Sequence, residues 1–181
     1  MKKIIITTVF IVVAVFLYTA RNSFLANKAV PGTGEHESFR PDPSSATFIF
    51  DDELVTLSAG RNESIVAPGS ALLEETILMD QFAYGDINAD GKEDTALLLA
   101  RYGAGSGTFI YAAAFVSGPV TYRGSKAIFI GDRIAPQSIS INEGVVTVIY
   151  LDRGPGEALA AEPTIMVSKQ FVYRAGEFKE R

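Results

Sequence analysis

Ser138-Ile139-Ser140-Ile141-Asn142-Glu143-Gly144-Val145-Val146-Thr147-Val148-Ile149-Tyr150-Leu151 is the stretch that decides the fold. Ser138 to Asn142 alternates polar and apolar residues, the two-residue period of a strand with one buried face. Glu143-Gly144 then sets a glycine where a hairpin turn needs positive φ. Val145 to Leu151 follows, rich in β-branched residues that suit a pleated surface. The stretch therefore reads as a β-hairpin.

The same pattern extends outward. Phe48-Ile49-Phe50, Asp51-Asp52-Glu53 and Leu54-Val55-Thr56-Leu57 read as a second hairpin. Thr95 to Tyr102 and Thr108 to Val116 are two apolar runs joined by Gly103-Ala104-Gly105-Ser106-Gly107. Ile165, Val167, Phe171 and Tyr173 share one face of a long final strand. Residues 69–79 are ambiguous: Ala71 to Glu75 can open a helix, whereas Thr76 to Met79 suits a strand. Closely spaced strands with turn signals predict an all-β domain, an antiparallel sandwich or small barrel.

Ahead of it, Met1-Lys2-Lys3 precedes an apolar run from Ile4 to Tyr18. Two lysines before such a run place its start in the cytoplasm, and residues 1–20 read as an N-terminal hydrophobic helix. From Ile4 to Ala20 a helix measures about 26 Å, slightly short of the hydrocarbon core. Cleavage after Ala20 sets Tyr18 at the −3 position, where a small residue is wanted; cleavage after Ala29 sets Asn27 there. A retained single-pass membrane anchor is the better reading, with release after cleavage as the alternative. Either way the rest lies outside the cytoplasm. Residues 21–46 carry Pro31, Pro41 and Pro43 among Gly, Ser and mixed charges, and read as a flexible linker holding the lone histidine, His36. The domain is then 47–181.

Composition narrows the chemistry. The 181 residues include 16 Lys and Arg, 21 Asp and Glu, one His, no Cys and no Trp. Without cysteine there is no disulfide, thiolate metal site or thiol nucleophile, and with one histidine no mechanism can use a His pair. Residues 47–181 hold 11 Lys and Arg against 18 Asp and Glu, a formal charge of −7. Such a domain attracts cations and does not suit nucleic acid, which needs a basic face.

One motif carries a mechanism. In Gly85-Asp86-Ile87-Asn88-Ala89-Asp90-Gly91-Lys92-Glu93-Asp94, the residues Asp86, Asn88, Asp90 and Asp94 stand at positions 1, 3, 5 and 9 of a loop, with Gly91 at 6. Alternating oxygen-bearing side chains on a tightly turning backbone point at one centre, and the Lys92 carbonyl can face it too. Crowded carboxylates repel one another unless a cation neutralises them. All-oxygen ligands favour Ca²⁺ over transition metals. Position 12 is Leu97 rather than a bidentate Glu, and the loop runs into a strand, so an EF-hand is not expected. Binding is then weak, with a Kd of roughly 10⁻⁴–10⁻³ M, and its role structural.

The segment Phe82 to Leu98 resembles the calcium-binding loop of FG-GAP and VCBS-type repeats, where such a loop leads into a strand. Those repeats assemble as β-propellers. This chain has a single copy, so the resemblance implies only the four side-chain ligands and the strand after them. From Ala67 to Arg181 the chain is also similar to a group of exported bacterial domains of unknown function. The shared pieces are the Asp-rich loop, Gly105 to Phe109, Gly131 to Gln137 and Asp152 to Glu157. That similarity implies a bacterial envelope protein and supplies no activity.

Other segments hold candidate chemistry. Asp132-Arg133 and Asp152-Arg153 lie in loops beside Gly and Pro. One reading pairs Asp132 with Arg153 and Asp152 with Arg133, pinning two loops. The other makes a ligand groove in which Arg133 and Arg153 grip a carboxylate beside Asp152 and Glu157. Gly103 to Gly107 lacks the spacing of a phosphate-binding loop and reads as a hairpin tip. Ser125-Lys126 and Ser168-Lys169 are neighbours on strands, so each Ser and Lys face opposite sides and cannot act as a nucleophilic pair. No catalytic residue is assigned. The leading expectation is a non-enzymatic, calcium-stabilised binding or assembly domain held at the cell envelope. The alternatives are a small hydrolase or anionic-ligand protein using the Asp-Arg loops, and a chaperone or inhibitor of another envelope protein.

Overall fold

A computed structural model describes residues 39–66, 69, 71–103 and 105–181. The expected N-terminal helix and the tether up to residue 38 lie outside the described residues. Twelve strands make up the regular structure of the described residues: β1 (Thr47–Phe50), β2 (Glu53–Thr56), β3 (Arg61–Ile65), β4 (Leu73–Gly85), β5 (Asp94–Tyr102), β6 (Thr108–Val116), β7 (Arg123–Gly124), β8 (Ile128–Asp132), β9 (Ala135–Asn142), β10 (Val145–Asp152), β11 (Ile165–Arg174) and β12 (Glu177–Glu180). No helix occurs among the described residues. The ambiguous segment before Met79 is strand from Leu73 onward, the first part of β4.

The strands form three sets. The central sheet has the order β3-β4-β5-β6, with β7 and β8 both pairing on the far side of β6. A second sheet has the order β12-β11-β10-β9, and β1-β2 is a separate hairpin. Every strand pair is antiparallel.

The apolar runs of β5 and β6 have a simple cause: both of their faces are covered. Ala96, Leu98, Ala112 and Ala114 pack with Val146, Val148, Tyr150 and Phe171 of the second sheet. The alternate residues Leu97, Leu99 and Ala113 pack with Phe48, Phe50 and Val55 of the β1-β2 hairpin. A strand buried on both sides loses the alternation that marks a half-exposed one. Fully burying one such leucine contributes about 2 kcal/mol. The hairpin sits close because Gly124 has no side chain: a Cβ there would lie 2.2 Å from the Thr47 carbonyl oxygen. β4 changes register between Leu78 and Phe82. The two extra residues keep the strand's alternation in phase, so Met79 packs with the first core and Leu78 and Phe82 with the second.

The hairpin of residues 138–151 is present as β9-β10, with Asn142 opposite Val145. Glu143 and Gly144 both take positive φ, 49° and 73°. That is the backbone of a type I′ turn, whose twist matches the flanking strands. The strand through Phe171 and Tyr173 is not the last. Ala175 and Gly176, with φ of 53° and 84°, turn the chain back into β12.

Residues 39–46, read above as part of the linker, belong to the compact unit, which begins at Phe39. Pro41 and Pro43 are buried. The Thr95 hydroxyl donates to the Pro41 carbonyl at 2.7 Å, and Phe39 packs its ring on Tyr122. Composition treats proline as a mark of open chain, but a buried proline is also a rigid apolar surface with an acceptor.

Candidate functional site

The Asp-rich loop joins β4 to β5 and closes on itself. Ala89 and Gly91 take left-handed φ of 63° and 80° on either side of Asp90. The bend brings the Asp86 and Asn88 side-chain oxygens to the same donor: each accepts from the Asp90 amide, at 3.2 and 3.1 Å. Asp86 also accepts from the Gly91 amide at 2.8 Å, and Asp90 from the Lys92 amide at 2.9 Å. The side chains at positions 1, 3 and 5 therefore accept from amides of the same bend, with Asp90 itself exposed.

Asp94 does something else. It is fully buried, and its two oxygens accept from the amides of Ile87 at 2.9 Å, Asn88 at 3.3 Å and Ser117 at 2.8 Å. Spacing placed it among the ligands; the hydrogen bonds make it the brace that fixes the loop to the start of β5 and the end of β6. Among the described residues no three or more His, Cys, Asp or Glu side chains are gathered as a metal-holding group. The side-chain oxygens of Asp86, Asn88 and Asp90 are taken up by main-chain amides and the Ser117 hydroxyl.

Ser117, Tyr122 and Glu93 complete the surroundings, and sequence reasoning missed all three. Asn88 donates through Nδ2 to the Ser117 carbonyl and hydroxyl at 3.0 and 3.2 Å, and the Ser117 hydroxyl donates to Asp90. That bond and the Lys92 amide hold the Asp90 carboxyl below the usual carboxylate range. The Tyr122 hydroxyl donates to the Glu93 carbonyl at 2.9 Å. Burial, and then the charges of Asp94, Asp90 and Glu93, push its pKa up. One carboxylate oxygen of Glu93 is buried and has no hydrogen-bond partner among the described residues. None of Asp86, Asp90, Glu93 or Asp94 forms an ion pair there either. The spacing of Glu93 gave no signal because it lies outside the one-three-five-nine pattern.

The Asp-Arg segments come together, but not as expected. No ion pair joins Asp132 to Arg153 or Asp152 to Arg133 among the described residues. Arg153 instead donates to main-chain carbonyls of Ala161 at 2.7 Å, Arg133 at 2.9 Å and Asp132 at 3.3 Å. Arg133, at φ 50°, bonds the Ser106 carbonyl at 2.9 Å and hydroxyl at 3.1 Å. It meets its own neighbour Asp132 at 3.6 Å. Asp152 accepts from the Arg153 amide at 2.8 Å, and Glu157 from the Gly154 amide at 2.7 Å. Loop pinning is therefore real, and its acceptors are carbonyls. The two guanidinium groups expected to grip a ligand are engaged with the chain's own backbone.

Ser125 is buried; its hydroxyl accepts from the Ala114 amide at 2.9 Å and donates to the Lys126 carbonyl at 2.8 Å. Lys169 pairs with Glu180 at 3.2 Å. Both Ser-Lys neighbours thus serve the sheets. Compared with known protein families, curated proteins and solved structures, the chain matches none of them.

Proposed function

We propose that residues 39–181 form an extracytoplasmic binding domain whose Asp86–Asp94 turn is stabilised by Ca²⁺. One observation carries the metal reading. Four carboxylates, Asp86, Asp90, Glu93 and Asp94, lie within nine residues with no cationic partner among the described residues. Main-chain amides offset part of this charge. A divalent ion held by Asp86, Asn88, Asp90 and the Lys92 carbonyl offsets the rest, with water completing its shell. The ion supplies charge neutralisation and cross-links the turn; Asp94 and Ser117 keep the turn in place before it arrives. Binding rather than catalysis fits the surroundings, because Ser125, Arg133, Arg153, Asp152 and Glu157, all weighed for chemistry, are hydrogen-bonded into the scaffold. The lysine-flanked apolar run of residues 1–20 supports tethering of this domain at a cell envelope, or its release there after cleavage.

Thermal unfolding of the full chain, in EDTA and in about 10 mM CaCl₂, tests the metal. With a Kd of roughly 10⁻⁴–10⁻³ M, saturation stabilises the folded state by about 1.4–2.7 kcal/mol. Asp90→Ala abolishes the difference. Superimposable curves for the unaltered chain remove the calcium reading.

A further inference from the structure

Arg123 of β7, Lys126 just after it and Lys179 of β12 line one groove of about 550 Å³ between the β7-β8 strip and the free side of β12. None of the three forms an ion pair among the described residues, although Arg61, Arg101 and Lys169 each meet a carboxylate. The only anionic side chain on the groove is Glu177. Three cations against one anion leave an excess of positive charge in a domain that is otherwise strongly acidic. Arg123 is held by a bond from Nη2 to the Tyr173 hydroxyl at 3.4 Å. Ile128 and Phe178 give the groove an apolar floor.

The register of β12 adds a neutral donor. Arg174 and Glu177 flank the two-residue turn, and Val172 faces Lys179. In such a hairpin the flanking pair and every second pair after it share hydrogen bonds. The Arg181 amide bonds the Gln170 carbonyl at 2.9 Å, in that same series. Tyr173 and Phe178 fall in the other series. The Phe178 amide and carbonyl consequently point away from β11, toward the groove.

We infer that this groove binds a small organic anion: carboxylate or phosphate oxygens held by Arg123, Lys126, Lys179 and the Phe178 amide, with a compact apolar body against Ile128 and Phe178. The volume suits a small molecule, and charge-assisted bonds from a guanidinium and two ammonium groups fix the anionic end. The inference rests on reading the domain as a binding module. It does not depend on the metal turn, which shares no residue with the groove.

Calorimetric titration of the full chain in detergent tests it, with phenyl phosphate, inorganic phosphate and benzyl alcohol as probes. Phenyl phosphate is expected to bind tightest, and to weaken as salt rises. Arg123→Gln combined with Lys126→Gln lowers its affinity about tenfold, whereas Arg61→Gln leaves it unchanged. Should the double variant fail to fold, the exposed Lys179→Gln gives the same comparison singly. No binding of phenyl phosphate, or equal affinity in the groove variants and Arg61→Gln, overturns the inference. Repeating the titration in EDTA and in calcium separates the two sites. Loss of the calcium-dependent melting shift with phenyl phosphate still bound sinks only the metal reading, and the reverse sinks only the groove.

Discussion

The Asp86–Asp94 turn and the Asp132–Arg133 and Asp152–Arg153 segments are built from similar residues, acids and glycines in loops between strands. They balance their charges in opposite ways. In the first, carboxylates face main-chain amides and a serine hydroxyl, with no Lys or Arg in ion-pair contact among the described residues. In the second, every guanidinium bond but one goes to an uncharged oxygen of the chain itself. Arginine can close this account internally because carbonyls are abundant and its donors are many. Crowded carboxylates cannot, because amides supply only partial charges. The difference teaches that a concentration of charge points to a ligand only where the fold leaves it unbalanced.

The largest break in the comparison is expected at Asp94. Asp94→Ala leaves three amides without their acceptor at a fully buried position. Each unsatisfied buried donor costs about 1–3 kcal/mol, so the loss is at least about 3 kcal/mol, with or without calcium. Urea unfolding measures it; a loss below about 1 kcal/mol removes Asp94 as the brace.

Arg153 comes next. Arg153→Ala frees three carbonyls in two loops, but the site is only half-buried and water replaces part of what is lost. A cost of about 2 kcal/mol is expected. Arg153→Lys recovers little of it, since one ammonium cannot span three acceptors set by a planar fork. If lysine restores full stability, the carbonyl clamp is not what joins the loops. Arg133→Ala, whose hydrogen bonds are exposed and whose ion pair with Asp132 is long at 3.6 Å, should cost less than about 1 kcal/mol.

The same accounting explains what the sequence made legible. The two-residue period of Ser138–Asn142 and the glycine at 144 were enough for β9-β10, because a half-exposed hairpin writes its geometry into alternate residues. The runs of β5 and β6 were legible as strands, but nothing in them named the layers on either face, since Val146 and Phe48 lie far off in sequence. Pro41 and Pro43 misled about the boundary because composition does not record burial. At the candidate site, positions 86, 88 and 90 were legible through local spacing, as was the glycine at 91. The brace at Asp94 was not, since its partner Ser117 arrives from another strand. Arg123, Lys126 and Lys179 could not be grouped at all: only the return of β12 brings residue 179 to residues 123 and 126.

The smallest expected effect concerns the balance inside the acidic turn itself. The Ser117 hydroxyl, followed by the Lys92 amide, lowers the Asp90 pKa in the folded chain. An acid whose pKa is depressed on folding stabilises the fold above its unfolded value, near 3.8. That stabilisation is lost as pH falls through the lower, folded value. Ser117→Ala removes the first cause and should raise the Asp90 pKa toward its ordinary range, which carboxyl carbon NMR across an acid titration reads directly. Because Asp90 is exposed, the accompanying change in stability is slight and confined to acid pH. An Asp90 titration unmoved by Ser117→Ala would mean that the hydroxyl does not help carry the charge of this turn, and that the main-chain amides alone hold Asp90 in its ionised form.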